Sequence, residues 1–125
     1  MLYTARKFDK AAWHGTAIEV SRTRKSLFAP SQELFDDYKA GRADWAEYAR
    51  RYPAELRAKF AENPQPFLDL IDRAAREDVT LTCWEGGDED TVRCHRRLLR
   101  DFLAALARDR GLEILPPSNR AGPGS

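Results

Sequence analysis

Apolar residues in this chain recur at two periods. In the middle, Leu34, Phe35 and Tyr38 share one helical face, with Ser31 placed to cap the N-terminus and Gly41 to stop the helix. Asp44 and Glu47 stand at capping-box spacing ahead of Trp45, Tyr48, Ala49, Tyr52 and Leu56, which keep helical period. Pro53 interrupts that run, so a kink or a break into two short helices is expected there. Asn63-Pro64 reads as a further start, a cap followed by a proline at the first helical position. Phe67, Leu68, Ile71, Ala74 and Ala75 then form a stripe for burial. Leu98, Leu99, Phe102, Leu103 and Leu106 mark a last amphipathic helix, closed by Gly111.

Shorter β-prone runs flank these helices. They are Leu2–Ala5, Ala17–Ser21, Leu112–Leu115 and, most clearly, Val79–Trp84, which is rich in β-branched and aromatic residues. Strands separated by helical stretches predict an α/β fold. The expected architecture is a single small domain over residues 1–115, a mostly parallel sheet of about four strands covered by helices. A flexible Pro/Gly/Ser tail is expected over residues 116–125. In such sheets ligands bind beyond the carboxyl ends of the strands. Two charged loops follow strand ends directly, Arg22–Pro30 and Glu85–Arg93.

Composition narrows the function classes. A hydrophobic content of 42% with three Trp, four Tyr and six Phe is that of a globular chain. A net charge of +1 argues against a global electrostatic role such as coating nucleic acid. The charge is uneven, however. Residues 1–30 hold six Lys/Arg against two Asp/Glu, residues 93–110 repeat that ratio, and four acids crowd between Glu85 and Asp90. No apolar stretch is long enough to span a membrane, and the start lacks a signal-peptide pattern. Cytoplasmic residence with reduced thiols is therefore expected. Two cysteines permit one bridge, Cys83–Cys94, but no disulfide framework.

Chemistry concentrates where the strand ending at Cys83 meets the helix that opens with Cys94-His95-Arg96. With Asp90 or Thr91 as the N-cap, Cys94 falls in the first helical turn. Free N–H groups, the positive end of the helix dipole, Arg93 and Arg96 would all favour a thiolate or a bound anion there. The expected site takes Cys94, His95 and Glu85 in catalytic roles, with Arg22, Cys83 and Arg96 as ligand-binding residues for a small anionic or polar ligand. No metal is expected: the C-x10-C-H spacing matches no zinc module, and adjacent helix positions diverge by about 100°. No cofactor motif is present.

Other readings stand beside this one. Cysteine is often a core residue, so Cys83 at the end of an apolar strand fits the interior as well as chemistry. Trp45, Tyr48 and Tyr52, at helical spacing, read as core before they read as a platform for stacked bases. A non-enzymatic nucleic-acid or protein-interaction module would use Arg22–Lys25 with Arg93, Arg97 and Arg100. Alternatively, Cys-His-Arg is a structural brace.

The stretch Leu-Thr-Cys-Trp-Glu followed by Arg-Cys-His-Arg-Arg-Leu-Leu resembles the domain of unknown function 488 family, the YeaO-like proteins. The likeness rests on Leu81, Cys83, Trp84, Glu85, Cys94, His95, Arg96 and Leu99. Ser21-Arg22, the run Leu27–Ser31, and Leu34, Tyr38, Lys39, Gly41 and Tyr48 extend it over about residues 2 to 107. The resemblance implies the fold and the place of the site; it carries no reaction with it.

Overall fold

The computed structural model describes residues 1–20, 26–83 and 95–117. Three strands, β1 (Leu2–Arg6), β2 (Thr16–Glu19) and β3 (Val79–Cys83), form a parallel sheet in the order β1-β3-β2. Four α-helices accompany them: α1 (Gln32–Lys39), α2 (Trp45–Glu62), α3 (Gln65–Arg76) and α4 (His95–Asp109). The fold is α/β, as the pattern predicts.

The central strand β3 is buried at every position. That is the expected environment for a parallel strand paired on both edges, and it explains the near-continuous apolar and β-branched run. The register places Leu2, Val79 and Thr16 side by side, then Thr4, Leu81 and Ile18. Leu2, Val79, Leu81 and Cys83 from these alternating positions join the helical core with Leu34, Tyr52, Leu56, Phe67, Ile71, Leu99 and Leu103. Helix α4 lies against β1 and β3, and α2 and α3 pack on α4 in turn.

Thr80 alternates with Leu81 and so belongs to the other face. There the β1–β2 connection crosses β3 through a 3₁₀ turn at Lys10–Ala12. The Thr80 hydroxyl accepts the His14 N–H and donates to the His14 carbonyl, both at 2.8 Å. The His14 ring stacks on Tyr3 with centroids 4.0 Å apart. Gly15 makes the turn into β2 at a φ of +65°, and a Cβ built there would lie 2.0 Å from the Asp78 carbonyl oxygen. A side chain at this point is excluded both by backbone conformation and by space. Gly15→Ala is therefore expected to cost at least about 2 kcal/mol, from left-handed strain plus displacement of β3's entry. Urea unfolding followed by circular dichroism measures that loss.

Local signals place most helix ends. Ser31 caps α1, its Oγ accepting the Leu34 N–H at 3.1 Å, and Asp44 caps α2 through Glu47 N–H at 2.8 Å. Three expectations change. Pro53 lies inside α2, which runs unbroken through it. Proline removes one backbone donor, but Tyr48, Tyr52 and Leu56 on either side are all buried in one stripe, and their packing keeps the helix continuous. Among the described residues the sheet has three strands, one fewer than the roughly four expected. Leu112–Leu115 meets β1 where the Leu2 N–H donates to the Ile114 carbonyl at 2.7 Å, while the Leu112 N–H goes back to the Ala107 carbonyl at 2.8 Å. The Leu115 N–H turns to the Glu113 carboxylate, and Pro116 and Pro117 have no N–H to extend a ladder. Finally, in α3 it is Leu70 rather than Ala75 that completes the buried stripe.

Candidate functional site at the carboxyl edge of the sheet

Cys83 ends β3 with no exposed surface, and its carbonyl accepts the Lys7 N–H at 2.7 Å. The sequence led to reduced thiols. In the structure Cys83 is instead disulfide-bonded, and no described cysteine is free. Burial of the sulfur beside the start of α4 favours a bridged, uncharged form over a buried thiolate.

Arg96, in the first turn of α4, is fully buried, the bulkiest side chain with no exposed surface among the described residues. Its Nη1 donates to Cys83 Sγ at 2.9 Å. A guanidinium stays charged under all ordinary conditions, so a positive group is fixed against this sulfur in a region of low dielectric. Arg100, one turn further along the same face, is also buried, and its Nε and Nη2 both donate to Asp101 at 3.1 and 3.0 Å.

His95 precedes Arg96 by one position and so points about 100° away from it. Its Nε2 lies 2.6 Å from the Val20 carbonyl. A carbonyl only accepts, so Nε2 carries the proton and donates. Val20 is itself held to the sheet, its N–H donating to Thr82 O at 2.8 Å. The His95 ring meets Tyr52 edge-on at 5.7 Å between centroids. The Tyr52 hydroxyl donates to the Phe28 carbonyl. Burial, the larger cause, together with Tyr48 and Glu55 holds that hydroxyl well above the usual tyrosine range. Lys59 secures the same stretch, with Nζ donating to Leu27 O at 2.8 Å and Ala29 O at 3.0 Å. Burial lowers its ammonium from the usual lysine value, against an opposing pull from Glu55. On the sheet's other face, Lys7 Nζ and Glu19 Oε1 pair at 2.9 Å, linking the ends of β1 and β2 across β3.

Of the six expected site residues, the structure brings Cys83 and Arg96 into contact and seats His95 next to them, with its Nε2 engaged by the chain rather than aimed at the sulfur. Arg22, Glu85 and Cys94 lie outside the described residues. Trp45, Tyr48 and Tyr52 prove to be core and core-flanking rings, stacked or tilted on one another. Three participants escaped the sequence reading as site residues. Tyr52 and Lys59 sit on α2, and the Val20 carbonyl is a backbone group with no sequence signature. In the sequence Tyr52 reads as a member of an apolar stripe and, behind that, as part of a platform for stacked bases.

No helix of the described residues is long and apolar enough to cross a membrane. Comparison with curated proteins and with solved structures finds no significant match. A family model does match: DUF488-N3a, described as the active DUF488-N3 subclade, over residues 6–107. That span runs from the end of β1 through most of α4 and takes in Arg22, Cys83, Glu85, Cys94, His95 and Arg96. The chain thus belongs to the domain of unknown function 488 family, in its active N3 subclade.

Proposed function

We propose that Cys83 and Cys94, the chain's two cysteines, form a reversible disulfide, and that the carboxyl edge of the sheet is a thiol-dependent site at which Arg96 stabilises the Cys83 thiolate released on reduction. One observation carries this reading: the buried Arg96 Nη1 stands 2.9 Å from Cys83 Sγ. A neutral disulfide gains little from a guanidinium at that distance. A thiolate gains a charge-assisted hydrogen bond. In the cytoplasm, the setting we infer for this chain, disulfides are usually transient and serve catalysis or redox sensing. Arg22 and Glu85 would supply polar contacts to whatever thiol-bearing molecule approaches, and Glu85 a proton acceptor.

The test is a redox titration in dithiothreitol buffers, with thiols trapped by iodoacetamide and counted by mass spectrometry. Native protein is expected to interconvert reversibly between a form with no label and one with two. Arg96→Met should make the bridge harder to reduce, shifting its midpoint roughly 30–60 mV more negative, the equivalent of one hydrogen bond to a charged group. A bridge that opens only when the protein unfolds, or a midpoint unmoved by Arg96→Met, would sink the reading.

A second reading has its own observation. His95 ties α4 to β2 through Val20, and that is what a brace does. If Cys-His-Arg is structural, its variants lose melting temperature without changing any redox midpoint. The nucleic-acid reading is weaker, because Arg100 is buried and held by Asp101 rather than spread on an open basic face.

A further inference from the structure

We propose that the β1–β2 connection is a binding surface for single-stranded nucleic acid, whose bases stack on Phe8 and His14 and whose phosphates meet Arg6 and Lys10. The proposal is independent of the disulfide reading above. Residues 6–14 read Arg-Lys-Phe-Asp-Lys-Ala-Ala-Trp-His, in which three cations and one acid are interleaved with Phe8, Trp13 and His14. Phe8 is 62% exposed, on a tight turn closed by the Asp9 N–H donating to the Arg6 carbonyl at 3.1 Å. The Lys7 ammonium stands 5.5 Å from the centre of its ring. At the other end of the connection His14 is exposed, and its ring lies flat on Tyr3, with the planes 18° apart. Arg6 and Lys10 are exposed as well.

A single exposed phenylalanine calls for no explanation. Here it is one of two flat surfaces held in place before anything binds, which lowers the entropic cost of association. The Thr80 hydroxyl pins the His14 backbone at both its N–H and its carbonyl, each at 2.8 Å, and Trp13 Nε1 donates to the Arg6 carbonyl at 3.4 Å. Tyr3 covers one face of the imidazole and is the one ring it touches among the described residues, so a base can continue the stack on the other face. The four steps from Tyr3 to Lys7 along β1 and just past its end span roughly 13 Å at ~3.3 Å each. A stacked strand rises ~3.4 Å per nucleotide, so the two platforms lie about four nucleotides apart.

Charge selects among partners. Lys7 is answered by Glu19 at 2.9 Å, and the exposed Asp9 offsets one of the exposed cations, so the surface is only mildly basic. An acidic polypeptide, which binds through charge, gains little from it. Two rings with a small positive excess suit a ligand that carries planar apolar faces on a backbone of spaced negative charges. A duplex keeps its base faces inside the stack and cannot offer them to Phe8 or His14.

The test is fluorescence anisotropy of a labelled oligothymidylate titrated with the full chain. Binding is expected with a Kd of roughly 1–100 μM, the range of contacts without base readout. Two neutralised phosphates set a shallow salt dependence, a log–log slope of about −1.4, and Lys10→Gln should halve it. Phe8→Ser should weaken binding about tenfold, the effect of losing one stacked base, and His14→Ser less, because Tyr3 remains beneath it. Melting temperatures should barely move in Phe8→Ser and Lys10→Gln, since both side chains are exposed. Should Phe8→Ser fail to fold, Phe8→Leu keeps an apolar side chain without a π-face and carries the same expectation. No binding at low salt, an affinity unchanged in the Phe8 and His14 variants, or a duplex that binds as well as the single strand would overturn the proposal. So would polyglutamate that displaces the oligonucleotide at equal charge concentration, which would assign the surface to acidic polypeptides through charge alone.

Discussion

Replacing Arg96 by alanine is expected to cost about 3–5 kcal/mol of folding stability, the range for emptying a large, fully buried side-chain volume. A domain of this size has a stability of roughly 5–15 kcal/mol, so the variant should melt well below the native protein and sit close to unfolding at 37 °C. The size of the effect follows from position. Arg96 shares its face of α4 with Leu99 and Leu103, all three without exposed surface, and it fills the space against the end of β3. Arg96→Met separates volume from charge. Methionine keeps much of the bulk and adapts to irregular space, and a buried charge replaced by a well-packed apolar side chain is often neutral or stabilising. Calorimetry of the two variants should therefore show a large drop for alanine and a small change of either sign for methionine. The redox midpoint should move in the methionine variant even where its melting temperature does not. Arg96→Lys tests the geometry of the fork, since a point charge on a flexible stem is a poor replacement for a planar group held at 2.9 Å from the sulfur.

Arg96 also marks the limit of what the sequence discloses. The caps at Ser31 and Asp44 are legible because the residues that decide them lie within three or four positions of each other. The strand at β3 is legible because full burial demands an unbroken run of β-prone residues. Pro53 misleads because the local rule against proline is overridden by Tyr48, Tyr52 and Leu56, whose burial depends on α1, α3 and α4 being in place. Leu112–Leu115 misleads for the opposite reason: its composition suits a strand, but the Leu112 N–H goes to the Ala107 carbonyl, the Leu115 N–H goes to the Glu113 carboxylate, and Pro116 and Pro117 beyond it have no N–H. The site shows the same division. Cys83, His95 and Arg96 are legible as chemistry-bearing types at the junction of β3 and α4. That Arg96 is interior, and that His95 spends its Nε2 on Val20, are tertiary facts. A run such as His95-Arg96-Arg97 reads as solvent-facing until the loops around it are known, because nothing in the run itself says which charges will be covered.

Tyr52 is where the second large effect is expected. Its ring lies against Tyr48 and His95 and its hydroxyl donates to the Phe28 carbonyl, so it joins α2, the start of α4 and the segment that follows β2. Tyr52→Ala should cost about 3–5 kcal/mol, as for other buried aromatic residues cut back to alanine. Tyr52→Phe should cost only about 1–2 kcal/mol, because it leaves the ring contacts and strands only the half-buried Phe28 carbonyl. The alkaline limb of the stability curve distinguishes the hydroxyl's contribution. Burial raises the folded-state value well above the ordinary tyrosine value of 10.0, so the native protein keeps a proton that the unfolded chain releases. The resulting stabilisation is complete below pH 10 and is lost as the pH climbs from there toward the folded-state value. Chemical unfolding at pH 7, 9.5 and 10.5 should show native stability falling over the last interval and Tyr52→Phe falling less. If His95 owes its seat to this ring, Tyr52→Ala should also loosen the start of α4, and hydrogen exchange should rise at Leu98, Leu99 and Arg100 before it rises in α3. Equal exchange in the two helices would mean that the disulfide and Arg96 hold the start of α4 without help from Tyr52.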